Sequence, residues 1–393
     1  MFNIGIDIAK RKHSMAVLGE GGEIVIESFI FSNTVEGFRR MLDALAAHGV
    51  TNENAKACME STGHYGRALR DHLISLGFDI REVNPILTHN WRKARSVRKV
   101  KNDTVDALAL AQWNSATLLP GHLPPSKDTE EIKSLERSRT FQSRIIGDLK
   151  RKAIAILDEV FPEYQGFFSD SFGKASAAVL LRWPSAEAIS KARIDVLSRC
   201  IHEASGGRLG RSKAEDLKLL AKNSCAAKPK TSAQSFHLTQ LLAHIGFLKD
   251  QVVELDKELA VLLSQANTYI TTIPGVGTVT GATILGEIGD ISRFENPSQL
   301  VAFAGYDPSV FESGNFKGTK NHISKRGSRY LRWALFIAAD RARMHDSVFK
   351  AFYEKKRAEG KCYKVAVCAV ARKLCNTIFA ILRDNTPYKA QTV

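Results

Sequence analysis

The chain has 393 residues, of which 44% are hydrophobic and 25% charged, as in a soluble globular protein of two or three domains. Its formal net charge of +15 favours a polyanionic partner, with nucleic acid ahead of an acidic membrane surface. No run of about 18 apolar residues and no signal-peptide pattern is found, so we expect no membrane association. The six cysteines form no Cys-x-x-Cys pair, which favours reduced thiols in the cytoplasm.

The first part of the chain predicts a mixed α/β sheet. Residues 2–9, 13–18 and 23–31 have strand patterns, and Gly-Glu-Gly-Gly between the last two indicates a hairpin. Two helix–strand repeats follow, with strands at 55–60 and 78–83. Three hairpin-like strands followed by alternating helices and strands favour an RNase H-like architecture.

Two acidic residues lie at or near the ends of predicted strands. Asp7 interrupts the first apolar strand, and Glu60 ends the fourth. A buried charge is costly without a partner, and ligands collect beyond the carboxyl ends of central strands. The structural alternative is that Asp7 accepts hydrogen bonds from a turn and that Glu60 caps the following helix.

Two further acidic residues open an alanine- and leucine-rich segment that predicts a helix. Asp103 and Asp106 are three residues apart and would share one face of that helix. They could simply cap the helix and complement its dipole. Together with Asp7 and Glu60, however, they would form an oxygen-only site suited to Mg²⁺ or Mn²⁺. Two such ions can activate an attacking oxygen and stabilise a leaving oxygen at a phosphodiester.

A densely basic segment lies between the fifth strand and this acidic pair. Such a segment is usually a solvated surface, but its position next to the presumed metal site favours contacts with phosphates. The candidate residues are Arg92, Lys93, Arg95, Arg98, Lys99 and Lys101.

A Pro- and Gly-rich stretch ends a first predicted domain, 1–120, and precedes a helical domain, 126–268. Long amphipathic helices at 128–160 and 235–266 predict an antiparallel hairpin or coiled coil, which either packs within the chain or pairs two protomers. A small helical insert, about 162–230, separates these two helices.

The last predicted domain, 269–393, is mainly helical. Its Pro-Gly-Val-Gly turn, with Gly275 and Gly277, resembles a helix-hairpin-helix element whose backbone amides approach a DNA phosphate. Farther on, a serine-containing loop is crowded with basic residues, which would stabilise a deprotonating hydroxyl and a pentavalent phosphate. The residues alone do not choose among Ser309, Ser313, Ser324 and Ser328. The basic candidates are Lys317, Lys320, Lys325, Arg326 and Arg329.

Two sets of motifs resemble a group of bacterial insertion-sequence transposases. Asp7 in Gly-Ile-Asp-Ile-Ala-Lys, Glu60 in Met-Glu-Ser-Thr-Gly and the two acids of Lys-Asn-Asp-Thr-Val-Asp-Ala resemble the DEDD tetrad of their RuvC-like N-terminal domain. Ile-Pro-Gly-Val-Gly, Phe-Ala-Gly-Tyr-Asp-Pro, Glu-Ser-Gly and Ser-Lys-Arg-Gly-Ser resemble their C-terminal transposase domain. The insert at about 162–230 is longer than compact members of this group need.

The resemblance implies a bacterial, cytoplasmic DNA recombinase that excises and integrates its own element. A structured non-coding bridge RNA would pair with the double-stranded donor and target DNA. The tetrad would bind divalent metal, and Ser313 in Glu-Ser-Gly would be the nucleophile that forms a covalent 5′-phosphoserine intermediate. The resemblance further implies dimers that pair into tetramers, with the RuvC-like domain of one protomer completing the site of another.

Two other functions are compatible with the residues. One is a RuvC-like nuclease or junction resolvase in which metal-activated water attacks the DNA. The other is a non-catalytic scaffold whose acidic residues are helix caps and whose charge binds nucleic-acid backbone. Substitution of Asp103 separates the scaffold from both enzymes, and substitution of Ser313 separates the two enzymes.

Overall fold

The computed structural model describes residues 1–60, 63–83, 85–95, 103–117, 127–226, 231–308, 312–313, 316–317 and 322–390. The chain divides into two compact units, Met1–Ser126 and Lys127–Val393. The predicted first domain, 1–120, ends close to the boundary between them. The predicted division between 126–268 and 269–393 falls inside the second unit.

The first unit contains a mixed sheet whose five strands confirm the predicted ones. They are β1 (Phe2–Asp7), β2 (Lys12–Leu18), β3 (Ile24–Ser32), β4 (Ala55–Glu60) and β5 (Asp79–Val83). The strand order is β3-β2-β1-β4-β5. The first three strands are antiparallel neighbours, whereas β1, β4 and β5 run parallel.

Local sequence explains the connections in this sheet. The turn between β2 and β3 closes with hydrogen bonds from the Gly19 N–H to the Glu23 carbonyl and from the Gly22 N–H to the Gly19 carbonyl. Gly22 has φ of +86°, a conformation that glycine adopts without steric cost. Thr34 caps the first helix by accepting a hydrogen bond from the Gly37 N–H at 3.1 Å.

Helices cover both faces of the sheet. The helices of this unit are α1 (Val35–Ala47), α2 (Arg67–Ser75), α3 (Pro85–Arg95) and α4 (Asp103–Ala116). Ile4 and Ile6 of β1 belong to the core that includes apolar residues of α1 and α2. Because side chains alternate along a strand, Gly5 faces the opposite side, where α4 lies.

The contact between β1 and α4 requires glycine. A Cβ atom added to Gly5 would lie 2.2 Å from the carbonyl oxygen of Ala107 and 2.3 Å from the backbone nitrogen of Ala111. No side chain fits in that space, so the helix rests directly on the strand backbone. The position of α4 on the sheet is therefore fixed at Gly5.

The second unit is built on two long helices, α5 (Lys127–Val160) and α10 (Thr231–Gln265). Arg139 forms an ion pair with Asp256, and Gln234 donates a hydrogen bond to Glu159. The end of α5 therefore lies beside the start of α10, so the two helices form an antiparallel hairpin within one chain.

A helical insert caps the far end of this hairpin. Its helices are α6 (Lys174–Arg182), α7 (Ala186–Lys191), α8 (Ile194–Ala204) and α9 (Arg211–Lys222). Apolar residues of the insert share a core with Leu157 of α5 and Leu241 of α10. The insert is thus packed onto the hairpin and is not a separate body.

The C-terminal region packs on the near end of the hairpin. Its elements are α11 (Thr278–Ile288), α12 (Pro297–Ala304), β6 (Glu312–Ser313), β7 (Phe316–Lys317), α13 (Arg329–His345), α14 (Ser347–Ala358) and α15 (Tyr363–Asp384). Ile132 of α5 and Leu259 of α10 belong to the same core as these helices. This shared core explains why the hairpin and the C-terminal region form one unit.

Among the described helices, α15 alone is long and apolar enough to cross a membrane by length and composition. Half of its apolar window is buried, and Val367, Leu374 and Ile378 belong to the core of the C-terminal region. A helix buried in the core of a soluble protein can have the same length and apolar composition, so α15 is weak evidence for a membrane span.

Substitution Gly5→Ala should displace α4, because the new methyl group would lie within 2.3 Å of two backbone atoms of that helix. We expect the free energy of unfolding to fall by about 1–3 kcal/mol, as for other overpacked cores. Displacement should also expose Cys58, which packs with Leu110 and Trp113 and whose thiol pKa burial raises to about 12. Urea denaturation and mass spectrometry of alkylated Cys58 measure the two effects.

Substitution Gly246→Ala is the control, since a Cβ at Gly246 in α10 meets no atom within 4 Å. It should leave the alkylation rate of Cys58 unchanged and should not destabilise the helix. Native stability and an unreactive Cys58 in Gly5→Ala would refute the close contact.

Candidate active site

The parallel register of β1 and β4 brings two of the predicted acidic residues to one edge. The ladder pairs Gly5 with Cys58 and Ile6 with Met59, and one residue later Asp7 and Glu60 end the two strands. Cys58 packs against α4, so the alternation of side chains assigns Glu60 to the face that α4 covers. The same alternation from Gly5 assigns Asp7 to that face.

Helix α4 brings the third acidic residue to this edge. Ala107 and Ala111 lie over Gly5, while the Asn114 side-chain amide donates to the Lys56 carbonyl at 3.1 Å, near the start of β4. The helix therefore runs back across the parallel strands, and its N-terminus lies at their carboxyl edge. Asp106 immediately precedes Ala107 and is only 8% exposed.

The N-terminus of α4 also attracts anions such as carboxylates. The first N–H groups of a helix have no partner within the helix, and the helix dipole is positive at that end. Asp103 is the first residue of α4, as predicted, but its side chain lies outside the described residues. Asp103 and Asp106 thus begin a helix that starts where β1 and β4 end.

A hydroxyl group that the sequence did not single out orients Glu60. Thr88 of α3 is buried, and its Oγ1 donates to Glu60 Oε1 at 2.5 Å. A bond of this kind fixes the rotamer of the carboxylate and keeps one oxygen in a defined place. The sequence offers only a weak indication of this role, because Thr88 is a single threonine in the first turn of the helix that follows β5.

A second hydroxyl lies across from Asp7. Ser14 of β2 is the cross-strand partner of Asp7, so the two side chains share a face. Ser14 is buried, and its Oγ has no hydrogen-bond partner in the described part of the chain. An orphaned buried hydroxyl costs free energy, which distinguishes this position from an ordinary core serine.

The described carboxylates share an edge without forming a closed cluster. Within the described side chains, no three His, Cys, Asp or Glu residues are close enough together to hold a metal ion. These side chains include those of Asp7, Glu60 and Asp106 but not that of Asp103. Three carboxylates therefore lie along one edge of the sheet, and Asp103 lies at the start of α4, the helix that also carries Asp106.

The structure describes only part of the basic segment before α4. Arg92, Lys93 and Arg95 lie in the last turns of α3, and the Lys93 side chain is exposed. The side chains of Arg92 and Arg95, and all of Arg98, Lys99 and Lys101, lie outside the described residues.

The predicted nucleophile lies in a small hairpin of the second unit. Ser313 ends β6 and pairs with Phe316 at the start of β7, while Glu312 pairs with Lys317. Ser313 therefore flanks the connection between two antiparallel strands. Its side chain and that of Lys317, like Lys320 as a whole, lie outside the described residues.

Two of the alternative serines have structural partners. Ser324 donates a hydrogen bond to the Asp307 carboxylate. Ser328 caps α13 by accepting from the Leu331 N–H at 3.2 Å, and it donates to Glu287 Oε2 at 2.7 Å. Ser309 lies outside the described residues.

The basic loop before α13 is anchored by its backbone, which leaves its side chains exposed. The Lys325 N–H donates to the Gly305 carbonyl at 3.1 Å, and a Cβ on Gly327 would lie 1.9 Å from the Phe303 carbonyl oxygen. The side chains of Lys325, Arg326 and Arg329 are exposed to solvent. Three of the predicted basic residues are therefore accessible to a ligand.

The first glycine of the Pro-Gly-Val-Gly turn lies against a neighbouring helix. Gly275 has φ of +88°, and a Cβ there would lie 2.5 Å from the backbone nitrogen of Ala342 in α13. The close backbone approach at Gly275 is thus made to a neighbouring helix. Gly277 precedes α11, is exposed, and has no atom within 4 Å of an added Cβ.

Comparison with known families matches both ends of the chain. Residues 4–162, which include Asp7, Glu60, Asp103 and Asp106, match a transposase model of the IS110 DEDD type. Residues 267–354, which include Ser313, match the model described as transposase IS116/IS110/IS902 family. The chain belongs to this family of transposases.

Two of the relatives cover almost the whole transposase, and a third covers part of it. An insertion element IS116 protein of Streptomyces clavuligerus is 23% identical over 97% of this chain and 94% of its own length. A pilin gene-inverting protein of Moraxella bovis is 24% identical over 98% of this chain and 97% of its own. A transposase for insertion sequence element IS1328 of Yersinia enterocolitica is 29% identical over 38% of this chain and 46% of its own.

These matches confirm the predicted family and its enzymatic class. The protein is a DNA transposase and recombinase, and its DEDD domain belongs to a class that generally depends on divalent metal ions. The all-oxygen donors at the edge of the sheet have the chemistry that such ions require.

Substitution Ser328→Ala should destabilise the transposase without removing a reacting group. It deletes a helix cap and one of the hydrogen bonds to buried Glu287, which together should lower the free energy of unfolding by about 1–2 kcal/mol. Ser328→Thr keeps the hydroxyl and should restore most of the stability, whereas Ser264→Ala, at an exposed serine of α10, should have no effect. Urea denaturation measures the free energy of unfolding of all three variants. If Ser328→Ala kept native stability but lost DNA cleavage, Ser328 would be the better candidate for the nucleophile.

Proposed function

We propose that this transposase excises and integrates an insertion-sequence element by divalent-metal-dependent cleavage, with Ser313 as the nucleophile. The observation that carries the proposal is the contact at Gly5, which fixes the N-terminus of α4 at the carboxyl ends of β1 and β4. That contact supports a site to which the acidic pair of the helix and the acids of the strands all contribute. The strand order and this edge also support the RNase H-like, RuvC-like assignment of the first unit.

The residues at this edge fit a divalent ion. Asp7, Glu60, Asp103 and Asp106 would hold it through carboxylate oxygens, the donors that Mg²⁺ prefers and Mn²⁺ accepts. The unpartnered hydroxyl of Ser14, across from Asp7, adds an oxygen that could bond to an ordered water. When bound, the metal would stabilise negative charge on the attacking and leaving oxygens at phosphorus.

The serine chemistry conserves the energy of the phosphodiester. Ser313 Oγ loses its proton and attacks the phosphorus, the P–O3′ bond breaks, and the departing 3′-oxygen takes up a proton. The product is a 5′-phosphoserine ester and a free 3′-hydroxyl. A 3′-hydroxyl of the recipient strand then attacks the same phosphorus, releases Ser313 and restores a phosphodiester. Hydrogen-bonded Ser324 and capping Ser328 support the choice of Ser313 among the serines of this region.

The basic residues would hold nucleic acid during these steps. We assign phosphate contacts to the basic segment of 92–101, to Gly277 and to the loop residues Lys317, Lys320, Lys325, Arg326 and Arg329. The net charge of +15 supports binding of both double-stranded DNA and a structured guide RNA. Guidance by a bridge RNA, and assembly of dimers into tetramers, rest on the resemblance of the motifs to the family.

Similarity to the pilin gene-inverting protein supports a second candidate function, site-specific inversion of a DNA segment. Inversion and transposition require the same cleavage and rejoining and differ in the arrangement of the recombining sites. Two further alternatives remain. One is a nuclease that hydrolyses DNA with metal-activated water, and the other is a scaffold that binds nucleic acid without catalysis.

The transposase should form a covalent adduct with donor DNA. The full chain is co-expressed with the non-coding region of its element, supplied with Mg²⁺ and labelled donor DNA, and denatured in SDS. We expect an adduct in the wild type and in Ser324→Ala, and none in Ser313→Ala. Free nicked DNA without adduct, unchanged in Ser313→Ala, would establish the hydrolytic nuclease instead.

Removal of a carboxylate should reduce cleavage by at least about a thousandfold, because several kcal/mol of transition-state stabilisation are lost. We expect this loss in Asp103→Ala and Asp106→Ala, and also with a chelator, where Mn²⁺ should restore activity. Asp43→Ala, at an exposed residue of α1 on the other side of the sheet, is the control. Full cleavage by both variants would refute a catalytic role for the carboxylates, and absence of cleavage by the wild type would favour the non-catalytic scaffold.

The same assay tests whether two protomers build one site together and whether the reaction requires RNA. If one protomer completes the site of another, a mixture of inactive Asp106→Ala and inactive Ser313→Ala protein should regain part of the activity. Omission of the non-coding RNA should abolish the adduct. Unrestored activity in the mixture argues for a site within one chain, and adduct formation without RNA would refute RNA guidance.

A further inference from the structure

Three arginine side chains of the second unit converge on one tyrosine ring. The guanidinium carbons of Arg137, Arg144 and Arg329 lie 4.9, 5.4 and 5.0 Å from the ring centroid of Tyr330. Two of these arginines come from α5, and the third opens α13 next to the tyrosine itself. The ring attracts each cation, but the three cations repel one another.

The positive charge of this cluster is only partly neutralised within the protein. Arg137 forms a bidentate ion pair with Glu287, at 2.7 and 3.1 Å. Arg144 and Arg329 form no ion pair with any residue of the described ranges, and both are exposed. Asp148, one turn along from Arg144, pairs with Arg151 instead. Such a cluster favours an external anion.

An exposed aromatic ring lies between two of the arginines. Residues 137, 141 and 144 are spaced four and three apart, so Phe141 shares a face of α5 with Arg137 and Arg144. Phe141 is 64% exposed, although α5 has a buried apolar stripe on which a phenylalanine could pack. A ring with this exposure contributes little to the core of the second unit.

From these contacts we infer that Arg137, Phe141, Arg144, Arg329 and Tyr330 form an aromatic–arginine surface that binds an unpaired nucleic-acid strand. The arginines would contact phosphates, and Phe141 would stack on a base. The unpaired state follows from Phe141, because bases inside a duplex offer no free face for stacking. The inference requires neither Ser313 nor the carboxylates, so it can fail or succeed independently of the proposed chemistry.

Photochemical crosslinking tests the surface in the full-length protein. A labelled oligonucleotide of about 16 nucleotides, the upper site size of one single-strand binding module, carries 5-iodouracil in place of thymine or uracil. Crosslinked peptides are identified by mass spectrometry for DNA and RNA versions and for the corresponding duplexes. We expect crosslinks to peptides that contain Phe141 or Tyr330 with single strands and not with duplexes. Crosslinks confined to other regions would overturn the inference.

Binding measurements with matched variants provide a second readout. Phe141→Ala should weaken single-strand binding about tenfold, the loss expected for one stacked base, and should change duplex binding less than twofold. Arg144→Ala should reduce the slope of log affinity against log salt by about 0.7, the value for one phosphate contact with a single strand. Phe236→Ala, at a phenylalanine 67% exposed on α10, and Arg151→Ala, at an exposed arginine of α5, are the controls.

Thermal unfolding should be the same for all these variants, because each replaces an exposed side chain. Equal effects of Phe141→Ala and Phe236→Ala on single-strand binding would overturn the inference. If sedimentation shows that Phe141→Ala dissociates an oligomer while oligonucleotide binding is unchanged, a second copy of the chain covers this face instead. A stronger effect on RNA than on DNA of the same sequence would identify the guide as the occupant.

Discussion

The first unit depends on a backbone-to-backbone contact between a strand and a helix. At Gly5 the absence of a side chain lets α4 approach β1 to a distance at which no Cβ fits. This approach sets the height of α4 above the sheet, and the hydrogen bond from Asn114 to Lys56 sets its direction. With both fixed, the start of the helix meets the ends of β1 and β4. The shared edge of Asp7, Glu60 and Asp106 is thus a consequence of one missing side chain.

A buried carboxylate has the corresponding role in the second unit. Glu287 is 3% exposed and would be strongly destabilising without partners. It is satisfied by Arg137 from α5 and by Ser328 at the start of α13. These bonds tie the long hairpin, α11 and the end of the basic loop to one point. They also hold the Arg137 guanidinium beside Tyr330, so the arginine cluster is organised before any ligand binds.

Sequence patterns predicted the elements better than their contacts. The five strands were predictable because alternation and the Gly-rich turn act over a few residues. The hairpin of α5 and α10 was predictable as a pair, but the same apolar positions could have packed within a chain or between chains. Thr88 and Ser14 were missed because a single hydroxyl residue carries no pattern, and its partners come from other strands and helices. Gly275 shows the same limit, because nothing in the sequence reveals that a Cβ there would meet the backbone of Ala342.

The distribution of the candidate groups between the two units has a functional consequence. Asp7, Glu60, Asp103 and Asp106 belong to Met1–Ser126, whereas Ser313 belongs to Lys127–Val393. Neither unit therefore carries both the carboxylates and the serine. Because the proposed mechanism uses both sets of groups, neither unit alone can carry it out. The proposed phosphate contacts are likewise divided between the two units, so each unit would bind nucleic acid in the proposed mechanism.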